Sequence, residues 1–218
     1  MAGPRREFTA DEVRDLLSEL GRRLQAKGVE ATIYIVGGAA IALEIDARRV
    51  TVDVDAIFHP ETTVRAEAEQ LAAERGLPKD WLNNSVGGFV PGGDDDAVPL
   101  ELDGITVTTA SPEHLLAMKM ASYRPGKDQA DLELLFDRLG ITDPARAADI
   151  ALDVYGEYTL VLPDRDELIL SAQAILDRRR SARRKPAPRG PQGHKPRGTP
   201  SGGQFDVTAR DEPDVHLP

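Results

Sequence analysis

Cysteine is absent from the 218 residues. That excludes disulfide staples and thiolate metal sites and fits a reducing compartment. No apolar run approaches the ~20 residues of a membrane span, and Met1 to Glu7 lacks the apolar core of a secretory signal. A soluble, cytoplasmic protein with no membrane partner is expected. The four histidines, His59, His114, His194 and His216, have no ligand spacing. There is no Gly-x-x-x-x-Gly-Lys P-loop, no Gly-x-Ser-x-Gly elbow and no internal repeat. Positive charge is scarce over most of the chain: residues 1–177 hold 17 Lys+Arg against 33 Asp+Glu. Such a body does not attract nucleic acid by its overall field.

The basic residues are concentrated instead in 178–197, which holds nine Lys+Arg and no acid. That stretch suits RNA phosphates, or equally a helix end favoured by cations and a solubilising tail. From residue 181 onward the chain is dense in Pro, Gly, Arg and Lys and poor in large aliphatics. It cannot bury enough apolar surface to offset its ordering entropy, so 181–218 is expected to be disordered.

The remainder reads as an α/β chain. Thr9 and Glu12 form a capping box, with Phe8 and Val13 as its hydrophobic staple, ahead of an apolar stripe that Gly28 ends. Ala31 to Val36 predicts a strand, and Gly37-Gly38 turns the chain into a short helix from Ala39 to about Ile45. Thr51 to Phe58 predicts a second strand, with Val52, Val54 and Ala56 pointing inward. A helix over Thr63 to Arg75 follows, then a loop over Lys79 to Pro99 with a helical turn at Trp81 to Asn84. Pro99 to Asp103 and Ile105 to Thr109 read as a hairpin turning at Asp103-Gly104. Ser111-Pro112 opens a helix to about Tyr123. Further helices are expected over Asp128 to Leu139, Pro144 to Tyr155 and Arg165 to Arg180. Three parts are expected: 1–140 around the sheet, a helical extension 141–180 and the tail 181–218.

The chemistry centres on Val36 to Phe58. Residues i and i+2 of a strand share a face, so Asp53 and Asp55 are expected side by side, roughly 7 Å apart along the strand. Two adjacent carboxylates repel unless a cation lies between them, and hard oxygen donors suit Mg²⁺ or Mn²⁺ with substrate phosphates completing the shell. Gly37 and Gly38 let backbone N–H groups approach a phosphate, although an ordinary tight turn has the same pattern. Asp94-Asp95-Asp96 reads as a solvated loop.

A strand, a Gly-Gly turn into a helix, then a strand with Asp-x-Asp resembles the start of the active site in the polymerase-beta-like nucleotidyltransferases. Lys119, followed by Arg124, Lys127, Asp128 and Asp131, is similar to the later motifs of the AbiEii-type enzymes, toxins of type IV toxin–antitoxin systems. Leu77 to Asn84 is similar to a segment of their smaller relatives. The likeness covers roughly residues 30–140. It implies a small mixed sheet with packed helices and a metal-dependent transfer of NMP from an NTP to an acceptor hydroxyl, with tRNA or another RNA as acceptor and a cognate antitoxin as partner. It implies Asp53 and Asp55 as metal ligands, with a third carboxylate on a later strand that Glu101 or Asp103 could fill; Glu101 is taken, since Asp103 suits the turn beside Gly104. Gly37, Gly38, Lys119, Arg124 and Lys127 would hold the triphosphate. Lys119 would serve as a point charge for a phosphate oxygen or as a base for a hydroxyl. Asp131 would orient Lys119 or a metal-bound water, or be a surface partner of Lys127. Ala39 stands where many members have Ser after the Gly pair. A catalytically degenerate domain that binds nucleotide or a protein partner is the alternative.

Overall fold

A computed structural model describes residues 6–124, 126–156 and 159–184. In chain order the elements are β1 (Phe8–Thr9), α1 (Ala10–Ala26), β2 (Thr32–Ile35), α2 (Gly37–Glu44), β3 (Val50–Thr51), β4 (Val54–His59), α3 (Glu61–Arg75), β5 (Leu82–Asn83), β6 (Val98–Leu100), β7 (Thr106–Thr109), α4 (Pro112–Ala121), α5 (Gln129–Arg138), α6 (Pro144–Tyr155) and α7 (Arg165–Arg184). The described residues up to Arg183 form one compact unit. The tail expected to be disordered lies outside the described residues from 185 onward. Helix α7 runs four residues past the expected end at Arg180.

Local signals place the first elements. The Thr9 hydroxyl accepts from the Glu12 N–H at 3.2 Å, and the Glu12 carboxylate accepts from the Thr9 N–H at 2.9 Å. Two of the orphan donors at the head of α1 are thereby satisfied. Phe8, Val13, Leu17, Leu20 and Leu24 are fully buried along one stripe. Their burial, worth about 1.5–3 kcal/mol per large side chain, holds α1 against α2 and α3.

Five strands form a mixed sheet in the order β5-β4-β2-β7-β6. β2 is antiparallel to β4 and parallel to β7, β5 is parallel to β4, and β6 is antiparallel to β7. Ile33 and Ile35 on β2, Val54, Ala56 and Phe58 on β4, and Val107 on β7 are buried. The alternate positions, Tyr34, Asp55, Ile57 and Thr108, lie on the other face. Helix α4 packs against α2, α5 and α6.

Three local expectations are corrected. Trp81 to Asn84 is not a helical turn: Leu82 and Asn83 pair in parallel with Val54 and Asp55. Trp81, fully buried, donates its indole N–H to the Ala68 carbonyl at 3.0 Å, so tertiary pairing overrides a segment without periodicity of its own. The expected strand Thr51 to Phe58 is broken: β3 ends at Thr51, β4 begins at Val54, and Asp53 lies in the bend between them. Val52 is therefore exposed rather than inward. The acidic loop is only partly solvated. Asp95 and Asp96 are exposed, but the Asp94 side chain is only 6% exposed, accepting from the Tyr34 hydroxyl at 2.5 Å and the Ser111 N–H at 2.9 Å.

Candidate functional site

The turn after β2 brings the glycines to Asp55. The Val36 N–H donates to the Asp55 carbonyl at 2.9 Å, which clamps the exit of β2 to the start of β4. Gly37 follows with φ +66, the left-handed region that favours glycine. A Cβ at Gly37 would sit 3.3 Å from Asp55 Oδ2, and one at Gly38 would sit 3.2 Å from Thr51 Oγ1. Thr51 Oγ1 donates to the Asp53 carbonyl at 2.8 Å. Both acids are thus tied to the glycine bend. Asp53 reaches it through the bend between β3 and β4 rather than by sharing a strand face with Asp55. Both are half-buried, while Val54 between them is fully buried.

Burial pushes the Asp55 carboxyl above the usual carboxylate range, partly offset by a hydrogen bond from Asn83 and the fields of Lys119 and Lys127. Two of the lysines assigned from sequence therefore act on this carboxylate. Asn83 is brought there by the parallel register of β5 on β4. Nothing in its local sequence signals that position.

Behind this cleft two buried carboxylates, Asp128 and Asp131, are each shared by cations that are more exposed than they are. Lys119 Nζ is 2.9 Å from Asp128 Oδ1 and 2.9 Å from Asp131 Oδ2. Asp128 also accepts from the Arg124 Nε at 2.9 Å and the Arg124 N–H at 3.0 Å. Burial by itself would raise the Asp128 carboxyl, but its bonds from Arg124 and Lys119 outweigh that and hold it below the usual range. This explains why Asp128, at the N-cap of α5, makes no side-chain cap: its oxygens are committed to the two cations. Asp131 pairs with Lys119 and is buried rather than a surface partner of Lys127. Its other oxygen pairs with Arg49, from the connection between α2 and β3. Asp128 and Arg49 carried no assigned role in the sequence. The Lys-Asp pair inside Arg-x-x-Lys-Asp-x-x-Asp marked the first, and no local signal marked the second.

Glu101 is not part of this cleft. Leu100 pairs with Val107, which lies beside Ile33, whereas Asp55 is level with Val36. Glu101 is exposed just past β6. It is three strand spacings away, about 14 Å across the sheet and about 10 Å or more along it. The antiparallel turn carries it to the opposite end.

Asp53 and Asp55 offer hard oxygen donors with no competing thiolate, which suits Mg²⁺ or Mn²⁺. Among the described residues no three or more His, Asp or Glu converge into a preformed cage. A cation there would therefore draw its remaining oxygens from substrate and water.

A mixed sheet carrying a glycine turn against an Asp-x-Asp segment, with a half-buried lysine behind it, defines a nucleotidyltransferase-type protein. Residues 12–139, more than half of the chain, match the family described as a nucleotidyltransferase of unknown function (DUF6036), and the chain belongs to that family. No curated protein matches it. One solved structure, of an antigenic nucleotidyltransferase-like protein from Paracoccidioides brasiliensis, aligns over 81% of this chain and 92% of its own at 18% identity. The TM-score of that alignment is 0.37.

Proposed function

We propose that the protein is a metal-dependent nucleotidyltransferase that moves NMP from an NTP to an acceptor hydroxyl and releases pyrophosphate. The observation that carries this reading is the 3.3 Å approach of a Gly37 Cβ position to Asp55 Oδ2, in a cleft where Lys119 and Lys127 act on the same carboxylate. At φ +66 a glycine leaves the backbone open to a phosphate next to an acid, where an added methyl would press on that carboxylate.

Asp53 and Asp55 would hold the cation, which when bound neutralises charge on the phosphates. The backbone at Gly37 and Gly38 binds the triphosphate; no side chain caps the first turn of α2. Lys119, fixed between Asp128 and Asp131, presents a positioned ammonium to the charge that builds up on the transferring phosphate. That positioning is the main protein contribution to phosphoryl transfer. Its two carboxylate partners favour the point-charge role over that of a base. Arg124 and Lys127 add cations at the same rim.

The Arg-x-x-Lys-Asp-x-x-Asp spacing supports an extension to the AbiEii-like toxins, with tRNA as acceptor and a cognate antitoxin as inhibitor. The test is incubation with each labelled NTP, Mg²⁺ and total tRNA. Label should enter RNA with wild type and not with Asp53→Ala. Tight NTP binding with no transfer to any acceptor would favour a degenerate binding module instead. Absence of NTP binding would overturn the proposal.

A further inference from the structure

Arg49 joins two parts of the cleft that are 82 residues apart. It stands two residues before Thr51, whose hydroxyl abuts Gly38, and four before Asp53. Its guanidinium reaches Asp131 Oδ1, while the other oxygen of the same carboxylate is 2.9 Å from Lys119. One buried carboxylate is thus shared by two cations. Asp128 is shared in the same way by Lys119 and Arg124. Three cations, Arg49, Lys119 and Arg124, stand against two carboxylates, Asp128 and Asp131. Lys127 adds a fourth whose field reaches Asp55. In a chain of net charge −10, this cluster carries an excess of positive charge beside the acids that would hold a metal.

The two partners of this ion pair are buried very differently. The Asp131 side chain is 7% exposed, whereas that of Arg49 is 36% exposed. The carboxylate is sealed inside, and the guanidinium keeps part of its surface open. A guanidinium has five N–H donors in a planar fork that matches two phosphate oxygens, and one carboxylate oxygen cannot occupy them all. We infer that Arg49 binds the β- and γ-phosphates of the incoming nucleotide, with Asp131 as its positioning residue. This rests on the nucleotidyltransferase reading above and adds a subsite to it. Asp131 then has two tasks: it fixes Lys119 near the transferring phosphate and Arg49 near the leaving pyrophosphate. The purely structural alternative is that Arg49 only ties the α2–β3 connection to α5.

The probe is inorganic tripolyphosphate with Mg²⁺, titrated calorimetrically into the full chain, so the unknown base does not matter. Arg49→Met keeps the aliphatic stem and removes the fork. Asp131 still has Lys119, so no buried charge is orphaned and the fold should survive, with thermal unfolding as the check. Affinity should fall at least tenfold in Arg49→Met and by a smaller factor in Arg49→Lys, which keeps the charge and loses the bidentate geometry. Wild-type affinity in Arg49→Met would overturn the assignment. If Arg49→Met fails to fold, Arg49→Lys decides: unchanged affinity overturns the assignment, and reduced affinity with an unchanged melting temperature supports it. Wild-type protein that binds neither tripolyphosphate nor any NTP would overturn the nucleotidyltransferase reading itself. Wild type that binds while both variants match it would remove only the Arg49 subsite.

Discussion

Gly37→Ala separates backbone strain from site geometry when it is paired with Gly76→Ala. Both glycines have left-handed backbones, φ +66 and φ +63. An L-residue there costs about 1–2 kcal/mol, which for a protein of this size lowers the melting temperature by roughly 2–8 °C. The two differ in what a new methyl meets. At Gly76, the left-handed cap of α3, nothing lies within 4 Å. At Gly37 the methyl lands 3.3 Å from Asp55 Oδ2, closer than carbon and oxygen pack comfortably, so the carboxylate must shift by a few tenths of an ångström. A 1 Å misplacement in a catalytic centre costs about a hundredfold, so a loss of about tenfold is expected here. Urea unfolding should show both variants destabilised, Gly37→Ala at least as much as Gly76→Ala. Labelled-NTP transfer, measured well below both melting temperatures, should fall about tenfold in Gly37→Ala and stay at the wild-type level in Gly76→Ala. Equal transfer in the two variants would refute the placement of the working site beside the glycine bend.

Asp55→Asn should raise stability at neutral pH by about 0.5–2 kcal/mol while abolishing transfer. Burial holds the folded carboxyl above its ordinary value of 3.8, so the folded state binds more protons between 3.8 and the raised value. Wild-type stability from this group therefore falls as pH rises through that window, and the advantage of the Asn variant should vanish below pH 3.8. The same variant tests the metal. Mg²⁺ at ten times its Kd should stabilise wild type by about 1.4 kcal/mol, and an equal gain in Asp55→Asn would place the ion elsewhere. Lys119→Met should remain folded, because Asp131 keeps Arg49 and Asp128 keeps Arg124. Its melting temperature should reflect a loss of about 1.5–3 kcal/mol, and transfer should drop at least a hundredfold; a drop below threefold would count against the point-charge role. Glu101→Ala should leave the Mg²⁺ response and transfer unchanged and stability within about 0.5 kcal/mol, and any loss of the metal response would contradict its place at the far end of the sheet.

What the sequence by itself determined is what neighbouring residues decide among themselves. The capping box at Thr9 and Glu12, the left-handed turns at Gly37 and Gly104, the N-cap at Ser111 and the buried alternation through Val54, Ala56 and Phe58 are properties of a few adjacent residues. The Gly-Gly and Asp-x-Asp pairing was legible because only 14 residues separate Gly38 from Asp53 inside one strand–helix–strand unit whose ends must meet. Pairing across the chain was decided only by the tertiary structure. Trp81 to Asn84 has no periodicity, yet its segment becomes a strand that sets Asn83 on Asp55 because the edge of β4 was open. Glu101 has the right chemistry and the wrong end of the sheet, since hairpin direction depends on which strand accepts β7. Asp128 and Asp131 look like ordinary helix carboxylates until α4 and the connection before β3 close over them. A buried charge must find its counter-charge wherever the fold brings one. The partner of Asp131 came from 82 residues away, a distance over which local propensity carries no information.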